Sequence, residues 1–248
     1  VMQLLQLYAP LSCHTIGHVV GREVYAREGS IEGALSDCEY GCGGACNHGI
    51  TGAAFLSQSG VTLDSLDEVH IDSRLIQEVG KQVCSVSDGC HGVGHILFQI
   101  YNSFDEPLSL CDEIGRLMKR EDCYWGVFME HADRVSSHDT VHRDDKQFVA
   151  DTKDILFPCT DVEQKYRHAC FRYLSRIQDR IFDETGTGVE RRYTLRTLAC
   201  ETFIVGEDRS SCFEGLGRYI LDTAILSPYE AYLKCGPLEF GLDRMSCS

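Results

Sequence analysis

Fourteen cysteines fall at matching places in a repeating phrase, and this recurrence restricts what a chain of 248 residues can fold into. From the key cysteine of each copy, the chain reads CHTIGHVVGREVY (Cys13), CNHGITGAAFLSQ (Cys46) and CHGVGHILFQIYN (Cys90). It continues as CYWGVFMEHADRV (Cys123), CFRYLSRIQDRIF (Cys170) and CFEGLGRYILDTA (Cys212), and Cys247 opens a further copy. Each copy is a cysteine followed by an apolar segment of about three helical turns. Self-similarity at roughly 33 to 50 residues marks a repeat protein built from one supersecondary unit. The expected fold is all-α, with disulfide-stapled helical hairpins forming a curved solenoid or a closed α/α toroid. One helical-repeat domain over 1–248 would hold about seven units, with a polar insertion near 133–157.

A second cysteine precedes most key cysteines, which predicts the bridges Cys38–Cys46, Cys84–Cys90, Cys111–Cys123, Cys159–Cys170, Cys200–Cys212 and Cys235–Cys247. Cys13 and Cys42 remain and can pair with each other, although Cys38, Cys42 and Cys46 could exchange partners. An even count at periodic spacing argues for a disulfide framework and an oxidising, secreted or periplasmic compartment. The rival is thiolate metal binding, for which CEYGCGGAC has the spacing; its glycines suit a loop better, and no CxxC pair occurs.

Charge narrows the partners. A formal net charge of −15 without a basic block disfavours nucleic acid and anionic membrane surfaces. No apolar run reaches the ~20 residues of a membrane span. The opening VMQLLQLYAPLS is apolar but short and lacks a basic leader, consistent with a signal peptide already removed. A small molecule or a peptide is the partner class left open.

Within one unit, Leu108, Leu110, Ile114, Leu117 and Met118 follow helical spacing, and KRED (119–122) is expected to end that helix before Cys123 opens the next. An arginine stands three residues before the second cysteine in four units: Arg120, Arg167, Arg209 and Arg244. Its expected role is to donate to the free carbonyls at the end of the preceding helix. Gly17, Gly49, Gly94, Gly126 and Gly215 recur early in the second helices. Glycine is unfavourable in a helix interior, so close approach of neighbouring helices is the expected compensation.

Histidines break the pattern. CHTIGH and CHGVGH place His14 and His18, and His91 and His95, four residues apart on one helical face, where two ring nitrogens can reach one ion. The matching positions elsewhere hold Asn47 and Thr51, Tyr124 and Phe128, Phe171 and Ser175, and Phe213 and Gly217, so the repeat does not require histidine there. His131 lies further along the same face of its unit. The candidate metal ligands are therefore His14, His18, His91, His95 and His131, with His48, Glu130 and Tyr124 as side chains that would support them. Imidazole with nearby carboxylate suits zinc, copper or iron. A third HxxxH, His138 and His142, sits in the polar insertion and reads as a solvated loop.

CHTIGH, GACNHGI, CHGVGH and CYWGVFMEH together resemble an uncharacterised family of secreted cysteine-rich helical proteins, which implies a fold but no activity. A weaker likeness is to the lanthionine synthetase C-like cyclases, echoed here by HGITG and CHGVG. It implies an α/α toroid and, for the cyclases, zinc held by two cysteines and a histidine. Only Cys90 and His91 match that Cys-His-Gly phrase, and Cys90 is assigned here to a bridge, a departure from the cyclase ligand set.

The functional expectation is an extracytoplasmic metal-binding protein. A metal-dependent hydrolase or oxidase, or metal sequestration without turnover, would be its specific forms. The alternative is a disulfide-rich helical scaffold that binds a peptide or protein partner, with structural histidines.

Overall fold

A computed structural model describes residues 10–38, 42–60, 74, 76–78, 83–84, 89–115, 117–136 and 154–223. All regular structure among the described residues is helical, with no strand. The helices are α1 (Pro10–Glu28), α2 (Ile31–Asp37), α3 (Ala45–Ser59), α4 (Gly89–Tyr101), α5 (Asp105–Asp112), α6 (Leu117–Ser136), α7 (Gln164–Glu184), α8 (Val189–Glu201) and α9 (Glu207–Thr223). A 3₁₀ turn, Cys42–Gly44, leads into α3. The chain divides into two compact units, Val1–Glu130 and His131–Ser248.

Local chemistry explains the boundaries in the first unit. Pro10 begins α1, where its missing N–H costs no helical bond. Gly29, at φ +68°, follows α1 and donates its N–H to the Tyr25 carbonyl, a left-handed cap that β-carbon-bearing residues adopt reluctantly. Ser30 then caps α2, its hydroxyl accepting from the Gly33 N–H. α4 is buried on every side from Gly89 to Phe98, which makes it the central helix of this unit.

Glycines set how closely the helices cross. A Cβ on Gly21 of α1 would lie 2.1 Å from the Cys46 carbonyl oxygen, and one on Gly49 of α3 would lie 2.2 Å from that of His18. The α4–α6 crossing repeats this reciprocity, with Gly94 against the Cys123 carbonyl and Gly126 against that of His91. Backbone therefore meets backbone at the turns that carry the histidines. In the second unit Gly215 of α9 packs the same way on the Phe171 carbonyl of α7.

Six bridges lie among the described residues: Cys13–Cys42, Cys38–Cys46, Cys84–Cys90, Cys111–Cys123, Cys159–Cys170 and Cys200–Cys212. Only Cys111–Cys123 and Cys200–Cys212 join two helices. Cys13–Cys42 ties α1 to the 3₁₀ turn before α3, Cys38–Cys46 ties the C-cap of α2 to α3, and Cys84–Cys90 and Cys159–Cys170 each tie a helix to the turn before it. Cys13, Ala34, Cys42, Ala45, Cys46 and Ile50 form one buried cluster, so sulfur supplies part of the core around α1–α3.

One local expectation is corrected. KRED does not end the helix that carries Cys111: α5 stops at Asp112, and Lys119–Asp122 lie in the first turns of α6. Gly115 falls in the break, where glycine's poor helix propensity favours termination. The arginine expectation fits Arg120 and Arg209, which donate at or just past a helix end, whereas Arg167 donates into a turn. Arg120 donates to the Ile114 carbonyl, Arg167 to Thr160 and Val162, and Arg209 to Glu201 and Phe203.

The second unit packs α7 on α9, with α8 alongside. Phe171, Leu174, Ile177, Phe213 and Leu216 fill its core. Arg196, 5% exposed, donates to the Ser175 carbonyl, to Gln178 and to the Asp179 carboxylate, with its guanidinium 4.5 Å from the Tyr219 ring centre. This network crosslinks all three helices. Cys235–Cys247, Arg244, His70, His138, His142 and most of the polar insertion lie outside the described residues.

Candidate metal centre

α1, α3 and α4 converge through their glycines, and their histidines converge with them. His14 and His18 come from α1, His48 from α3 and His95 from α4. Each offers one ring nitrogen, and the four nitrogens lie within 4.8 Å of one another, a group that could hold a metal ion. Ring centres are 4.6 Å apart for His14–His18, 4.8 Å for His18–His95 and 5.5 Å for His48–His95. His14 Nε2 and His18 Nε2 already approach to 3.0 Å. A tetrahedral ion with metal–nitrogen bonds of about 2.0–2.1 Å needs separations near ~3.3 Å, within reach of small ring rotations.

Outer partners set which nitrogen faces the cluster. His14 Nδ1 donates to the Cys42 carbonyl at 2.8 Å, which places the lone pair of the neutral ring on Nε2. His95 Nδ1 donates to the Glu130 carboxylate at 2.8 Å, with the same result for its Nε2. Gln99 donates in turn to the other Glu130 oxygen at 3.0 Å and holds the carboxylate in place. Ligating histidines characteristically donate their second ring N–H to a carbonyl or carboxylate in this way.

Burial keeps His18 and His48 neutral, as metal ligation requires. Burial pushes His48 down to about 3, assisted by the charge that His14 would carry. Burial also holds His18 well below the ordinary histidine range, with His95, His14 and His48 opposing a further charge. His48 Nδ1 is buried without a hydrogen-bond partner. A buried polar atom in that condition is costly and calls for an occupant.

The sequence-derived candidates separate. His14, His18 and His95 join the group, and His48, read from sequence only as a supporting residue, joins it as a fourth donor. Glu130 accepts from His95 Nδ1. His91 borders the group, its ring centre 4.4 Å from that of His48, but its Nε2 donates to the Met129 thioether at 3.3 Å. His131, 1% exposed, belongs to the second compact unit and is not one of the four. Tyr124 donates its hydroxyl to Asp112. Two signals for His48 stood in the sequence: it precedes a crossing glycine, as His91 does, and it follows a repeat cysteine.

The contrast within the chain is informative. The positions of His14 and His91 are taken in the second unit by Phe171 and Phe213, 1% and 0% exposed. The repeat therefore packs with aromatic hydrocarbon at these positions, and imidazole is a substitution that packing does not demand.

Comparisons of the chain with protein-family models, with curated proteins and with solved structures give no match, so what stands is a disulfide-rich, all-helical chain with a histidine group able to hold a metal ion.

Proposed function

We propose that this chain is an extracytoplasmic metal-binding protein in which His14, His18, His48 and His95 hold one transition-metal ion. The observation that carries this reading is the convergence of four imidazole nitrogens within 4.8 Å, two of them oriented by outer partners. Imidazole suits zinc, copper and iron. Four protein donors fill a tetrahedral sphere, whereas a catalytic ion characteristically keeps one position for water or substrate. The ligand count thus favours holding the ion over turning substrate over. Six bridges support a location in an oxidising compartment. The net charge of −15 would also draw cations toward the surface.

The test is elemental analysis of protein purified without a histidine tag. One ion per chain is expected in the parent, with loss of that ion in His48→Ala and His95→Ala at unchanged helicity. Protein without stoichiometric metal after reconstitution, or variants that retain it, would overturn the reading.

A further inference from the structure

Beside the four histidines lies a soft donor. The Met129 sulfur stands 3.3 Å from His91 Nε2, and both side chains are 9% exposed. The His91 ring lies 4.4 Å from His48 and 4.9 Å from His95, centre to centre, so the residue bonded to the thioether borders the imidazole group. A thioether is uncharged and polarisable, and it ligates copper(I) far better than hard divalent ions. Charge points the same way. Among the described residues, the acidic side chain seen bonded to the group is Glu130, through His95. One carboxylate balances one positive charge, whereas a divalent ion would leave a net charge in a buried site, which is costly at low dielectric.

We propose that the ion is copper(I), and that the Met129 sulfur enters its sphere in place of one of the four imidazoles, with His91 beside it so that the ion stays four-coordinate. This rests on the preceding reading that the histidines hold an ion. α6 presents both elements of the selectivity in adjacent residues: Met129 supplies softness, and Glu130 supplies a single compensating charge.

Anaerobic titration of the full chain with copper(I), against a chromophoric chelator, and with zinc(II) in parallel tests the assignment. One copper(I) per chain is expected, bound at least ~100-fold more tightly than zinc(II), in line with soft-donor preference. Met129→Leu should weaken copper(I) by about 10- to 100-fold, the range for loss of a tuning partner, and leave zinc(II) within about twofold. X-ray absorption should show a copper–sulfur distance in the parent and none in Met129→Leu. Should that variant misfold, selenomethionine-labelled parent protein replaces it, with a copper–selenium distance as the expected signal. Equal or tighter zinc(II) binding, or copper with no sulfur or selenium neighbour, overturns the copper assignment and leaves the histidine reading intact. Binding of neither ion overturns both.

Discussion

The buried imidazoles carry the pH dependence of this molecule. His48 titrates near 6.5 when unfolded and is pushed to about 3 in the fold. Between those values the unfolded chain takes a proton that the folded chain refuses, so stability rises with pH across this window and is lost as pH falls through it. His18 and His91 shift in the same direction for the same cause, burial. Scanning calorimetry of the metal-free protein should therefore give a melting temperature nearly level above pH 7.5 that declines steadily below pH 6.5. His48→Phe, which fills the site with a ring that cannot titrate, should flatten that decline. A melting temperature independent of pH between 4 and 7 would contradict the neutral state assigned to these rings.

Helix crossings are the level at which the site is built. Gly126→Ala would drive a methyl group to 2.0 Å from the His91 carbonyl, and Gly49→Ala would do the same at 2.2 Å from that of His18. Backbone cannot yield as a side-chain end can, so each should cost about 1–3 kcal/mol or more in urea unfolding. Gly49→Ala should also weaken metal binding, because it separates α1 from α3. Gly115→Ala is the control: no atom lies within 4 Å of its Cβ, and stability should stay within about 0.5 kcal/mol. Of Gly17, Gly49, Gly94, Gly126 and Gly215, expected as crossing points from their recurrence, the last four stand at crossings. Gly21, the reciprocal partner of Gly49, was not expected, because it has no counterpart at that repeat position.

At the scale of the whole chain, sulfur does much of the work that a larger core would do. The Cys13–Cys42 bridge spans 29 residues, and the chain-entropy model assigns such a closure about 3–4 kcal/mol. It also anchors Cys42, whose carbonyl orients His14. Cys13→Ser/Cys42→Ser should accordingly lower the melting temperature and reduce metal affinity together, as followed by calorimetry and competitive titration. Stability lost without any change in affinity would separate the bridge from the site. Thiol titration of denatured, unreduced protein should find none of the twelve cysteines in the six bridges reactive.

Helical class, the bridging of neighbouring cysteines and the pairing of His14 with His18 are consequences of short-range spacing, and the sequence by itself determined them. A 3.6-residue period puts positions four apart on one face in any helix, and cysteines 6 to 12 residues apart have few alternative partners. Membership of the site was another matter. His48, His95 and Glu130 lie 35 or more residues apart in successive pairs, and only the glycine crossings decide that they meet. The same crossings leave Met129 beside His91, and the Cys13–Cys42 bridge holds the carbonyl partner of His14. Tertiary structure decided these because the distance between helices, which spacing along one helix cannot encode, is what turns separate imidazoles into one set of donors.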